Sequence, residues 1–348
     1  MAISGTSGRA RTATIVVAAG VAVAMGLSGC SSSKATATGG APSTASHLNI
    51  VAYSVPKPAY DALETGFEAT AAGKGVTFSA SYGASGTQEA AVASGQKADY
   101  VNFSVGSDMS KLVPSFVDAG WNSGATQGIV SDSVVAIVVR PGNPKHITGW
   151  SDLIKPGIKI VTPDPASSGS AKWNILAAYT HVLEDGGTEA QAQAYLSAFF
   201  KNVVSKPSSG SLATSTFLNG TGDVLISYES EAIAAKQKGE ALDYFIPAES
   251  ILIQTPGAVT KSAPQSAKDF LSYVLSPAGQ QIFASKGFRP AVSGVSPGTV
   301  TGANDPANPY PAVQKLETIA NLGGWSAVNA KYFDKKTGIV TKIENGAG

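Results

Sequence analysis

The segment Pro163-Asp164-Pro165-Ala166-Ser167-Ser168-Gly169-Ser170-Ala171-Lys172-Trp173-Asn174 carries the strongest chemical signal in this sequence. It follows an apolar run that reads as a strand, Ile158 to Val161, and it opens a helical pattern from about Ala171. Small hydroxyl residues and a glycine at such a junction leave backbone N–H groups unpaired and aimed at one place. The start of a helix adds partial positive charge there, which suits an oxyanion. The same residues also make a capped helix start, because serine is a favoured N-cap. Two further loops have this composition. Ser85 sits in Gly83-Ala84-Ser85-Gly86-Thr87-Gln88, after an alternating strand from Val76 to Tyr82. Ser208-Ser209-Gly210-Ser211 precedes a short helix with Thr214 and Phe217. Each reads either as a donor loop or as a tight turn. Neither loop is a P-loop, since GxxxxGK[ST] is absent. Tyr228 follows the apolar strand Val224-Leu225-Ile226 and either aims its hydroxyl into a cleft or packs with that hydroxyl satisfied at an edge.

Catalytic constellations find little support. The three histidines, His47, His146 and His181, are scattered, with no HExxH or CxxC spacing, so neither a metal site nor a Cys/His nucleophile pair is expected. Ser-His-Asp catalysis needs a positioned histidine, and none stands in a nucleophile setting. Asp164 and Glu229 are the carboxylates that could form an acid/base pair, and structural roles compete for both. No Rossmann fingerprint follows a strand, and no cofactor is expected.

These loops need elements to position them. From His47 onward, strand-like and helix-like segments alternate. Leu48 to Tyr53 forms the first strand and ends at Ser54. Tyr60, Leu63 and Phe67 mark a helix, and Val101, Phe103 and Val105 the next strand. Ser133 to Val139 is a strong apolar run that begins a second α/β unit, in which Tyr195, Leu196, Phe199 and Phe200 lie on a helix. Ile251 to Ile253 returns the chain to the first unit, and Phe270, Leu271, Val274 and Leu275 form a helix face. The alternation predicts an α/β fold with mostly parallel strands, in which ligands bind at the carboxyl ends of the strands.

Composition narrows the partners. The chain has 348 residues, 43% hydrophobic and 14% charged, with a net charge of +1. Without Arg9 and Arg11 the count is 23 basic against 24 acidic residues. No basic field exists to attract nucleic acid or an anionic membrane. The single cysteine, Cys30, forbids an intrachain disulfide. Arg9 and Arg11 precede an apolar stretch, Thr14 to Leu27, that is short for a membrane span. The stretch ends in Leu27-Ser28-Gly29-Cys30, which resembles the lipobox of bacterial lipoproteins. That resemblance implies cleavage before Cys30 and a lipid on its sulfur. Residues 1–29 are thus expected to be a signal peptide. Residues 30–46 lack large apolar side chains and read as a flexible tether.

The folded part resembles the sulfate-binding proteins of bacterial sulfate/thiosulfate ABC transporters. Among the runs that carry the likeness are Ser81-Tyr82-Gly83-Ala84-Ser85-Gly86, Arg140-Pro141-Gly142-Asn143-Pro144-Lys145, Ser167 to Asn174, Gly222-Asp223-Val224-Leu225-Ile226 and Gly323-Gly324-Trp325. The resemblance implies a type II periplasmic-binding-protein fold, two α/β lobes joined by two crossover strands. The lobes are expected at 47–132 with 248–348, and at 133–247. It further implies a sulfate or thiosulfate ion held between the lobes, an ABC permease as partner, a monomer, and no membrane contact beyond the lipid anchor. By position, Ser85 matches a hydroxyl donor, and Ser168, Gly169 and Ser170 match a helix-start donor loop. Gly210 matches a backbone donor, and Ser54 a donor in the first-strand loop. The chain departs from the family pattern at Tyr228, where a tryptophan is usual. It also departs at Ser170 for a glycine, Lys172 for an arginine and Ser54 for an aspartate. A phenol accepts as well as donates, so thiosulfate, molybdate and other oxyanions remain alternatives to sulfate. A secreted α/β hydrolase and a surface adhesion module are rivals from other classes.

Overall fold

The computed structural model describes residues 46–346. Cys30, the apolar stretch before it and the tether through residue 45 lie outside the described residues. The first unit alternates strand and helix, as the periodicity predicts: β1 (His47–Tyr53), α1 (Lys57–Glu68), β2 (Thr77–Gly83), α2 (Ser85–Ala93), β3 (Tyr100–Asn102) and α3 (Gly106–Leu112). The chain then runs through β4 (Ile129–Val139) into the second unit. That unit comprises β5 (Ile160–Val161), α4 (Gly169–Glu184), α5 (Glu189–Asn202), β6 (Val203–Ser205), α6 (Gly210–Leu218), β7 (Val224–Tyr228), α7 (Glu229–Gln237) and β8 (Asp243–Phe245). It returns through β9 (Glu249–Val259) to α8 (Gln265–Val274) and α9 (Pro277–Ser285). A final stretch carries β10 (Lys315–Glu317), α10 (Gly324–Val328) and α11 (Ile339–Glu344).

Ten strands form one sheet, eight of them in the path β2-β1-β3-β9-β4-β7-β5-β6, with β10 beside β9 and β8 beside β4. Within each unit β1 pairs parallel with β2 and β3, and β5 parallel with β6 and β7. The antiparallel pairs are those made by β4 and β9. These two eleven-residue strands cross between the units and pair with each other midway, Ser133 against Ile253 and Val134 against Leu252. Beyond that point β4 pairs with β7, and β9 at its far end pairs with β3. The apolar run from Val134 is buried on both faces, which is why it lacks alternation.

The helices bury the faces that their spacing predicts. Ala59, Tyr60, Leu63 and Phe67 of α1 are buried, and Tyr60 meets Phe283 and Tyr100 at ring distances of 5.7 Å. Phe270 packs into the same aromatic group, 5.4 Å from Phe67. Helix α4 is buried along most of its length because three layers cover it: β9, α5 and the chain's final stretch. Tyr332 from that stretch packs edge-on against Tyr179 at 5.0 Å, α11 packs on α5, and Val300 and Ala303 join the core around Ile233 and Leu242. The final stretch thus touches both units, since Trp325 of α10 also packs against Gly106 of α3 and Tyr310 bonds the carbonyl of Ala284 in α9.

Candidate functional site

Five loops at strand ends converge between the two units. Ser85 and Ser104 come from the first, and Gly169, Gly210 and Tyr228 from the second. Ser85 is the first residue of α2 and is buried. Its hydroxyl donates to Asp108 Oδ2 at 2.7 Å and accepts the backbone N–H of Ser104 at 3.0 Å. The hydroxyl proton therefore points to Asp108, and donation to an anion requires the hydroxyl to turn. Lys111 holds the other oxygen of Asp108 at 3.0 Å and reaches Glu89 at 2.8 Å, with its ammonium toward solvent.

The start of α4 separates the two readings of its serine loop. Ser168 occupies the N-cap position with extended backbone, yet its side chain makes no capping bond. The capping reading fails at this helix, and its first N–H groups take no side-chain partner from the cap. Gly169 follows, and a Cβ there would lie 2.7 Å from Ser104 Cβ and 3.2 Å from Ser85 Cβ. Only a glycine lets the helix start approach the opposite unit this closely. Gly210 opens α6 in the same manner. A Cβ there would lie 2.9 Å from Ser170 Oγ, 3.1 Å from Glu231 Oε2 and 3.1 Å from Val55 Cγ2. The preceding hydroxyl, Ser209, does cap its helix, accepting from Leu212 N. In that loop the turn reading holds for the serine and the donor reading rests on Gly210 alone.

Tyr228 ends β7 and is fully buried. Its hydroxyl meets Ser104 Oγ across the units at 2.7 Å. Burial pushes the phenol's pKa well above its ordinary value, and the hydroxyls of Ser104 and Ser170 pull against that rise. Two more bonds join the units here: Trp173 Nε1 donates to Ser104 O at 2.8 Å, and Gly86 N to Ser167 O at 3.2 Å. Ser54 stands apart from this network. It follows β1 half-buried, and its carbonyl accepts from Lys57 N at 3.3 Å. Its neighbour Val55, not Ser54, touches the Gly210 corner.

Apart from Lys111, which acts on Ser85 only through Asp108, no cationic side chain among the described residues takes part in these contacts. Lys172 turns aside, donating to Asn329 Oδ1 at 2.8 Å and lying over the Phe333 ring. The two carboxylates weighed for acid/base chemistry have separate structural duties. Asp164 holds its own turn by accepting Ala166 N at 2.9 Å. Glu229 is buried and grips Arg289, with Nε to Oε2 at 2.7 Å and Nη2 to Oε1 at 3.1 Å. Arg289 also exchanges two backbone bonds with Asp132 on β4, at 2.8 and 3.0 Å. Burial raises the Asp132 carboxyl to about 7, with Arg289 opposing the rise. Among the described residues no group of three or more His, Cys, Asp or Glu is placed to hold a metal ion.

Sequence reasoning missed Ser104, Asp108, Trp173 and Glu231. Glu231 is a buried carboxyl that accepts from Ser227 Oγ at 2.8 Å, and its pKa is raised by burial. The signal for Ser104 was present. Val101, Phe103 and Val105 read as one strand with Ser104 inside it, whereas β3 ends at Asn102 and Ser104 lies in a loop of the same strand-to-helix kind as that of Ser85.

A family model for bacterial extracellular solute-binding proteins matches residues 48–289. The chain is 37% identical to a sulfate-binding protein of Synechococcus elongatus, over 88% of this chain and 89% of that one. It is 30% identical to a thiosulfate-binding protein of Pseudomonas aeruginosa, over 85% and 92%. Among solved structures, the sulfate-binding protein SubI from Mycobacterium tuberculosis aligns with a TM-score of 0.78 and 41% identity, covering 83% of this chain and all of that one.

Proposed function

Because this chain belongs to the bacterial extracellular solute-binding proteins, with the two-lobed periplasmic-binding-protein fold, we propose that it captures sulfate between its lobes and delivers it to an ABC importer. It is a binding protein and not an enzyme. Thiosulfate is the second ligand that its relatives support. The observation that carries the reading is the start of α4, left without a side-chain cap and pressed through Gly169 against Ser85 and Ser104. N–H groups at that place suit an anion through the helix dipole, without a cation.

The proposed binding set is Ser85, Ser168, Gly169, Ser170, Gly210 and Tyr228, offering backbone N–H groups and hydroxyls, with Ser54 kept from the family pattern although it stands apart from their network. Sulfate is fully ionised at neutral pH and brings acceptors only. A protonated phosphate brings a donor, and leaving that donor buried without a partner costs about 1–3 kcal/mol. Such a cleft prefers sulfate for this reason. The lobes divide at the crossover strands, near residues 132 and 248, and close by bending there. The chain acts as a monomer, held to the outer face of the cell membrane by a lipid on Cys30, with the residues after it as tether.

Isothermal titration of residues 46–348 with sulfate, thiosulfate, molybdate and phosphate tests the proposal. Heat on sulfate or thiosulfate addition and none on phosphate is the expected result. Binding of molybdate alone would move the chain to another oxyanion, and silence toward all four would end the receptor reading.

A further inference from the structure

The Ser104–Tyr228 contact has a consequence for selectivity that follows from counting protons. Two buried hydroxyls meet at 2.7 Å, and each carries one proton. One proton makes the bond between them, so one O–H of the pair remains for another acceptor, with the Ser170 hydroxyl as the neighbour that also acts on the phenol. Ser104 is pinned on both sides of its peptide. Its N–H donates to Ser85 Oγ at 3.0 Å, and its carbonyl accepts Trp173 Nε1 at 2.8 Å. Its side chain lies against Gly169 at the uncapped start of α4, where a Cβ would come within 2.8 Å of Ser104 Oγ.

We propose that Ser104 donates its proton to the Tyr228 oxygen, filling the acceptor side of the phenol and leaving only its O–H for the bound anion. Ser104 is then a positioning residue, and Tyr228 the group that touches the ligand. The direction follows from acidity. A phenol is a far stronger donor than an aliphatic hydroxyl, so its proton belongs on the charged acceptor. A hydrogen bond received on the phenolic oxygen polarises that O–H further. A lone tyrosine in this cleft keeps an oxygen lone pair that can accept a hydrogen bond from a hydrogen phosphate. With its oxygen occupied by Ser104, the phenol is left as a donor, and at this contact the cleft disfavours anions that carry a proton. This inference rests on the oxyanion-receptor reading above.

The test is titration of the full chain and its variants with sulfate and with phosphate at pH 6.5, where phosphate keeps a proton. Y228F is expected to weaken sulfate about 10- to 100-fold, the loss of a hydrogen bond to a charged group. S104A is expected to weaken sulfate only about 3- to 10-fold, yet to lower the sulfate-to-phosphate affinity ratio at least tenfold. S104T, which keeps the hydroxyl, restores the ratio. The double variant is expected to bind sulfate no worse than Y228F, because the pair acts as one unit. A purely structural role for Ser104 would weaken both anions alike. An unchanged ratio in S104A, or losses that multiply in the double variant, overturns the pairing while wild-type sulfate binding still stands. A wild type that binds neither sulfate nor thiosulfate overturns the receptor reading, and this proposal with it.

Discussion

Two buried polar regions lie along the same crossover strands, and they are built on opposite plans. Near the start of α7, Glu229 and Arg289 meet as full charges beside Asp132, close to the point where β4 passes between the units. In the cleft, Gly169, Gly210, Ser85, Ser104 and Tyr228 meet as neutral groups, while the nearby carboxyls, Asp108 behind Ser85 and the buried Glu231 beside Gly210, are each held by protein hydroxyls. The difference reflects what each must do. A paired charge that stays buried keeps its partner and does not pay for desolvation a second time. A cleft that opens and closes would have to hydrate and dehydrate fixed charges on every cycle. Neutral donors, with partial charges supplied by helix starts, let a dianion enter and leave without that barrier.

The comparison is broken most severely at the charged end. Arg289→Ala leaves the Glu229 carboxylate buried without its partner and is expected to cost about 3–5 kcal/mol of stability, read by urea unfolding. A loss under about 1 kcal/mol would mean that solvent reaches Glu229 and that the region is not a sealed pair. In the cleft, Gly169→Ala is expected to weaken sulfate about 100-fold, or about 2.7 kcal/mol. The added methyl would meet Ser104 across the seam in the arrangement described here, and opening of the lobes would relieve it. Since alanine suits a helix better than glycine, the ligand-free melting temperature should hold or rise. A variant that binds as tightly as wild type would show that closure stops short of this contact.

Ser85→Ala tests the cleft more gently. It removes the acceptor for Ser104 N–H and the donor to Asp108, and it is expected to weaken sulfate by about 1.5–3 kcal/mol. Calorimetry giving wild-type affinity would take the Ser85 hydroxyl out of the site. The effect at Asp132 is one of pH and not of ligand. Its carboxyl titrates near 7 in the folded protein, above the unfolded value of about 3.9, so the folded state holds the extra proton between those values. Stability therefore falls as pH rises from about 4 to 7 and levels off above that. Asp132→Asn is expected to flatten the fall, whose full span of roughly 3 pH units corresponds to about 4 kcal/mol. Superimposable stability profiles for the two proteins would assign the titration to another group.

Much of this arrangement is legible in the residues, and the gaps have physical causes. The helix faces of α1 and α8 follow their spacing because one side of each meets solvent. The apolar half of β4 is evident from Ser133 onward, but the strand starts at Ile129. Ser131 and Asp132 interrupt the apolar pattern there, and they do so where the strand pairs with β9 instead of entering the second core. Strand β9 shows only Ile251 to Ile253 for the same reason, since Gln254, Thr255, Pro256 and Gly257 disguise its far half. The serine loops reveal where donors gather, but not which hydroxyl caps its own helix. Ser168 and Ser209 have the same local sequence logic and opposite outcomes. That choice depends on what stands across the cleft, which no local pattern records. The final stretch is the least legible, because it packs by single aromatic residues and not by periodic faces.

One of those aromatic contacts makes the molecule its own optical gauge. Trp173 gives its indole proton across the lobes to Ser104, and Trp325 stands edge-on to it at 4.9 Å, on a helix that also packs against α3. Two of the four tryptophans in the chain therefore sit at the seam. Opening the lobes would strip one indole of its acceptor and wet the pair, so intrinsic emission should shift to longer wavelength without any attached dye. The open and closed populations could then be followed in stopped flow on the unmodified protein.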